Sequence, residues 1–384
     1  MRVLIDYRPA LRERSGVGEY AHQLVRAMLA AFPRNGTARA LDVALFSSSW
    51  KDRLVPTPEL AGADMIDRHV PVSVLNFAWH RLGWPAAETL AQARFDVTHS
   101  LHPLLLPARD AAQVITIHDL NFLAHPERTR AEIRRDYPRL ARDHAHRADA
   151  IIAISEFTAD DVVRRLGVAR EKISVCVPGA PPWEPRAFTA GSGFSRTYNS
   201  DGYVLFVGTL EPRKNVGGLL NAYEQLVARR TDLPRLVLAG KAIALSQPWL
   251  DRIARAPLQR LVEHVGYIDP ASRRELYHGA RLLVQPSFDE GFGMPVLEAM
   301  TLGIPFVAAS RGALPEVAGD AGLLVDPEDA DAMAGAIERM IDDDALAADC
   351  AAKGIERAKR FSWERSAQIA YGAYQRAVAQ RGCR

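Results

Sequence analysis

The stretch Leu282–Leu302 reads LLVQPSFDEGFGMPVLEAMTL. A run of apolar residues bounded by Pro286 predicts a buried strand, and the glycines at 291 and 293 predict a loop. Pro295 predicts a helix beginning there, because proline has no amide to lose at the first helical position. The amides of Gly293 and Met294 then head the helix with its dipole behind them, a natural seat for a phosphate. Glu290 precedes the loop and Glu298 is placed in the helix's first turn. Carboxylates accept strongly from sugar hydroxyls, so this spacing suits one group holding a hexose and the other a ribose. The plain alternative for Glu298 is a carboxylate favoured only by the helix dipole.

Outward from this unit, short runs rich in Val, Ile and Leu alternate with helical patterns along the whole chain, as parallel sheets covered by helices require. Strands are predicted at 3–6, 43–46, 97–100, 114–116 and 151–154, with helices at 19–31 and 156–166. A turn-rich interval from Pro178 to Asp201 reads as a linker. Strands resume at 204–207, 236–239, 265–267, 282–285 and 306–309. The 384 residues exceed what one core usually serves, so two domains are expected. Ser362 is placed to cap a final helix with Ile369, Tyr374 and Val378 on its apolar face, expected to pack across both domains.

Composition narrows the function. A net charge of +2 is too small for nucleic acid as a partner. Three scattered cysteines give no disulfide framework and fit a reducing cytoplasm. No apolar run is long enough to span a bilayer, so any membrane contact is expected to be peripheral. The segment from Arg128 to Arg147 is dense in arginine and histidine, which fits either a solvated helix face or an anionic membrane surface.

Two further segments carry chemistry. In Phe206–Val216, FVGTLEPRKNV, a strand ends at Gly208 and a turn delivers Arg213 and Lys214, cations suited to a diphosphate leaving group. In Ser15–Ala21, SGVGEYA, Gly16 and Gly18 allow close backbone approach. Gly16, Gly18 and Ala21 also satisfy a loose dinucleotide fingerprint. About nine residues separate Gly16 from the first strand, however, and the second strand ends without an acidic residue, so a nicotinamide site is not expected.

The segment from Glu290 to Glu298 resembles the E-x7-E motif of retaining GT-B glycosyltransferases of family 4, in the form EGFG-x-P-x-x-E. The match extends through Leu314-Pro315-Glu316-Val317 and Gly322-Leu323-Leu324-Val325, and covers nearly the whole chain. The resemblance implies two Rossmann-like domains facing a central cleft: an acceptor domain over 1–185, a linker over 186–201, a nucleotide-sugar domain over 202–361 and a crossover helix over 362–384. It implies that Glu290 contacts the transferred sugar and Glu298 the ribose. Lys214, with Arg213, and the backbone of Gly291, Phe292, Gly293 and Met294 would hold the diphosphate, and Gly16 and Gly18 would face the donor. Many relatives carry Arg directly after the glycine where this chain has Thr209, which leaves Lys214 as the main cation. Thr116–Leu120, TIHDL, resembles the family's strand-end histidine, so His118 is the candidate for positioning the sugar or stabilising charge. His99, His102 and His125 form no convincing metal set, and with no D-x-D pair at a strand end a metal-independent enzyme without cofactor is expected.

The expected activity is transfer of a hexose, with mannose from GDP-mannose as the best match, to a glycan or lipid-linked acceptor in polysaccharide or lipopolysaccharide assembly. A sugar-nucleotide epimerase of the same shape and a non-catalytic binding subunit are the alternatives. Acceptor contacts are expected from the variable stretches 72–84 and 101–107.

Overall fold

The computed structural model describes all residues except 12–13, 15, 34–39, 127–130, 186–201 and 383–384, and side chains 131–135. The basic residues 128–130 and most of the expected linker therefore lie outside the described residues. The chain divides into two units, Met1–Gly179 with Ser362–Arg384, and Ala180–Phe361. Residues 180–185 thus group with the second unit, and 362–384 with the first.

The first unit is built on seven parallel strands: β1 (Arg2–Asp6), β2 (Asp42–Ser48), β3 (Asp64–Arg68), β4 (Val97–Ser100), β5 (Ala112–Ile117), β6 (Ala150–Ala153) and β7 (Ile173–Val175), in the order β3-β2-β1-β4-β5-β6-β7. The central strands are buried along their length, as strands covered on both faces must be. Helices named below are α1 (Val17–Ala31), α2 (Val72–Phe77), α3 (Ala131–Arg147) and α4 (Glu156–Asp161). Ser155 caps α4 by accepting from the Thr158 amide. Beyond Asp161 the turn widens through Val162–Leu166 and stops at Gly167.

The second unit repeats the scheme with β8 (Tyr203–Val207), β9 (Leu236–Ala239), β10 (Val262–Gly266), β11 (Ala280–Gln285), β12 (Phe306–Ala309) and β13 (Leu323–Val325), six parallel strands in the order β10-β9-β8-β11-β12-β13. Its helices include α5 (Val216–Arg229), α6 (Pro270–Gly279), α7 (Met294–Leu302), α8 (Ala330–Asp342) and α9 (Asp344–Ala358). Phe206, Leu219, Tyr223, Leu238, Val284, Met333 and Ile337 meet in its core.

The last helix, α10 (Trp363–Gly382), packs on α1 and along β4 to β7. The expectation that it spans both domains is corrected: it belongs to the first unit. Its buried face is alanine-rich, with Ala367, Ala370, Ala373, Tyr374 and Ala377, while Val378 is 37% exposed. Small residues let the helix axis approach the sheet closely. The Tyr374 hydroxyl then reaches His99 Nδ1 at 2.7 Å, and His99 Nε2 meets Thr116 Oγ1 at 2.7 Å.

In both sheets the order reverses direction beside the first strand, between β1 and β4 and between β8 and β11. The crevice outside the carboxyl ends of strands at such a reversal is where open parallel sheets bind ligands.

Candidate active site

At the reversal of the second sheet the chain brings Lys214 and Glu290 together. Lys214 closes the 3-10 turn Pro212–Lys214 that follows β8. Glu290 lies in the loop after β11, 6% exposed. The two loops are joined by the Phe288 amide donating to the Arg213 carbonyl at 2.9 Å. Lys214 Nζ donates to Glu290 Oε1 at 2.5 Å, and the same oxygen accepts from Ser287 Oγ at 2.7 Å and Gln285 Nε2 at 2.9 Å. Arg213 Nη1 reaches Glu290 Oε2 at 3.2 Å and the Asp289 carbonyl at 2.9 Å, while Glu211 holds its other side.

Burial alone would raise the Glu290 carboxyl, but the charges of Lys214 and Arg213 and the bonds from Lys214 and Ser287 bring it down to about 2. Burial lowers Lys214 from its ordinary value and Glu290 opposes that effect. The net result near neutrality is a charged pair inside the protein, each partner the chief compensation for the other's lost hydration.

The backbone of the loop is equally constrained. The Glu290 carbonyl accepts from the Ala313 amide at 2.9 Å. Gly312 has φ +64°, and a Cβ there would stand 2.8 Å from both the nitrogen and the carbonyl oxygen of Glu290. Gly293, at φ +108°, caps α7, and a Cβ there would meet Leu314 at 2.6 Å. Both positions need glycine for room as well as for conformation.

The helix differs from expectation in one respect. It begins at Met294, so Pro295 is the second helical residue and Glu298 the fifth, beyond the first turn. The dipole therefore gives little reason for a carboxylate at Glu298. Glu298 is instead 2% exposed and paired with Arg273 Nη2 on α6 at 3.5 Å, with the Tyr277 hydroxyl as a hydrogen-bond partner. Arg273 and Tyr277 in turn lie against the Trp183 ring.

The first amides after the loop remain ahead of the helical ladder. Val296 is the first to donate back, to the Gly293 carbonyl at 3.0 Å, so the Gly293 and Met294 amides precede the helix's own bonds. Gly291 is buried beside Glu290. Phe292 is 3% exposed and packs edge-on against Phe361, so its side chain serves the core and only its backbone is available to a ligand.

The remaining candidates lie in the first unit. Gly16 is exposed, caps α1 at φ +52° and would meet nothing within 4 Å if it carried a Cβ; Gly18 is buried in the first turn of α1. His118 follows β5, edge-on to Tyr20 with ring centroids 5.0 Å apart, and its Nε2 faces the Leu101 carbonyl at 3.2 Å. Burial pushes it down to about 4 against the pull of Asp119, so the ring is neutral near neutral pH.

Gln285, Ser287, Arg273 and Tyr277 were not among the residues expected from sequence. A polar residue closing the buried run LLVQ was the available signal for Gln285.

Two family models match the chain: Glycosyltransferase Family 4 over residues 14–182 and Glycosyl transferases group 1 over residues 193–357. The chain belongs to the family 4 glycosyltransferases. This transferase is 28% identical to the O-antigen chain mannosyltransferase B of Escherichia coli over 97% of its own length and 99% of that protein's. Among solved structures, it resembles the sucrose-phosphate synthase of Thermosynechococcus elongatus with a TM-score of 0.75 at 22% identity, covering 98% of this chain and 99% of the other. It also resembles Anabaena HepE, solved in complex with UDP-glucose, with a TM-score of 0.65 at 20% identity over 96% and 98% of the two chains. The two-sheet fold implied by the glutamate motif is thus the fold of the chain.

Proposed function

We propose that this glycosyltransferase moves mannose from GDP-mannose to a glycan or lipid-linked acceptor in surface polysaccharide or lipopolysaccharide assembly, with retention at the anomeric carbon and without a metal ion. The observation that carries the chemistry is the Lys214–Glu290 pair beside the Gly293 and Met294 amides, all at the reversal point of the second sheet. Support for mannose comes from the full-length similarity to the E. coli O-antigen enzyme.

A diphosphate arriving at the head of α7 meets two amides and the helix dipole. Lys214 then exchanges one anion for another, turning from Glu290 to the phosphate. As the bond from the anomeric carbon to the phosphate oxygen breaks, its electron pair leaves with the diphosphate, and this cation and these amides stabilise the developing charge. The acceptor hydroxyl attacks the same face of the oxocarbenium-like sugar. Its proton passes to the departing phosphate oxygen, so no separate base is needed. Glu290, held by Ser287 and Gln285, is placed to accept a hydroxyl of the transferred sugar, and Glu298 to accept from the ribose. A neutral His118 suits positioning of the sugar better than supplying positive charge.

No helix among the described residues is long and apolar enough to cross a membrane. Arg139, Arg142, His146 and Arg147 are exposed along α3, which favours peripheral attachment to an anionic cytoplasmic leaflet. The test of the reaction is incubation with GDP-mannose, acceptor and excess chelator, with proton NMR of the product's anomeric centre. An α-linked product at undiminished rate is expected. Loss of activity that magnesium or manganese restores overturns the metal-independent site, and epimerised nucleotide sugar formed from donor alone overturns transfer.

A further inference from the structure

The reversal of the first sheet carries a crevice of its own. It has a volume of about 250 Å3 and is lined by Asp6, Arg8, Ser48, Asp52, Asn76 and His102 among others. Asp6 ends β1 and His102 follows β4, so the crevice stands outside the carboxyl ends of the two strands where the order turns. We infer that this crevice binds one uncharged sugar ring of the acceptor, a role that rests on the transferase reading above.

The polar groups are fixed in advance. Arg8 Nε and Nη2 donate to the two oxygens of Asp6 at 2.8 and 2.7 Å, Nη1 donates to Asn76 Oδ1 at 3.0 Å, and the guanidinium lies 5.0 Å from the Trp79 ring centroid. One hydrogen on each of Nη1 and Nη2 is left over. Because Asn76 spends its oxygen on Arg8, its amide group presents NH2, which has no partner among the described residues. His102 Nδ1 accepts from the Leu104 amide at 3.2 Å, which leaves the Nε2 hydrogen facing Asp6 at 3.6 Å. A half-buried Asp52 adds an acceptor.

Charge selects the ligand. Two carboxylates, Asp6 and Asp52, stand against one guanidinium already committed to Asp6, so an anion meets repulsion while hydroxyls find both donors and acceptors. Size points the same way, since pockets for larger ligands run to about 300–1,000 Å3 and this one suits a single ring. Trp50 follows the lining residue Ser49 and Phe77 follows Asn76; they are 71% and 63% exposed, available to cover the apolar face of a pyranose.

Saturation-transfer NMR on the full chain decides the matter, using methyl α-mannopyranoside, methyl α-glucopyranoside and methyl β-galactopyranoside, with methyl glucuronide and inorganic phosphate as charged probes. At least one neutral glycoside should receive saturation, and the signal should fall in Asn76→Ala and in Asp52→Ala but persist in Lys214→Ala. In transfer assays Asn76→Ala should raise the acceptor KM about three- to tenfold, as loss of one hydrogen bond predicts. Silence from all neutral glycosides with the wild-type chain, stronger signals from the charged probes, or an unchanged acceptor KM in both variants overturns the inference. GDP is titrated into the same samples by calorimetry: GDP that binds while the glycosides stay silent fells the crevice alone, whereas failure of GDP to bind fells the donor reading.

Discussion

At the scale of single residues, the two glutamates have identical chemistry and different surroundings. Glu290 is held by a lysine, an arginine, a serine and a glutamine, whereas Glu298 is held by Arg273 and Tyr277. Glu298→Ala should weaken binding of both GDP and GDP-mannose about ten- to hundredfold, the worth of a hydrogen bond to a charged acceptor. Glu290→Ala should leave GDP affinity undiminished, because it frees Lys214, while turnover falls severely. Calorimetry and steady-state rates on both variants check this, and equal losses of GDP affinity would refute it. The low value of Glu290 also has a stability consequence. Its ionised form contributes fully above its ordinary value of 4.5, and the contribution is lost as pH falls toward about 2. Acid unfolding of Glu290→Gln should therefore lack a pH-dependent component in that window, on the order of 3 kcal/mol at most. Both glutamates and Lys214 were legible in the sequence because strand, turn and helix signals flank them. The partners of Glu298 were not, since α6 comes some 20 residues earlier and nothing local links the two. The expectation that Glu290 sits on a flexible side of its loop is also corrected, its carbonyl and carboxylate both being tied down.

At the scale of elements, the interior strands could be read and the edges could not. β3, β7 and β13, which were missed, and β10, which was expected at 265–267, are the four outer strands of the two sheets. An outer strand is half solvated, so it shows neither a continuous apolar run nor a clean alternation; β3 reads DMIDR with every residue half-buried. The loops at the carboxyl ends of inner strands carry the site, and their shape depends on glycines far away in sequence. Gly312→Ala should push against the Glu290 backbone, cost about 1–3 kcal/mol in a denaturant melt and reduce turnover together with stability. A melt indistinguishable from wild type would show that the loop yields without cost.

At the scale of the whole molecule, each unit has its own sheet and its own buried clusters, and charge is distributed unevenly over the first. If α3 lies against an anionic leaflet, binding to phosphatidylglycerol vesicles should fall steeply with added salt, and Arg142→Glu with Arg147→Glu should abolish it without loss of GDP affinity. Vesicle sedimentation that ignores both salt and charge reversal leaves α3 as a solvated face. The placement of α10 bears on a different stage in the protein's life, its synthesis. Domains generally fold in the order in which they emerge from the ribosome. Here the second unit is one continuous segment, 180–361, whereas the first lacks the helix that covers β4 to β7 until residues 363–382 have been made. Until then His99 has no Tyr374 to bond, and the alanine-lined seat beside it stays open. The half of the protein that is translated first is therefore the half that is finished last.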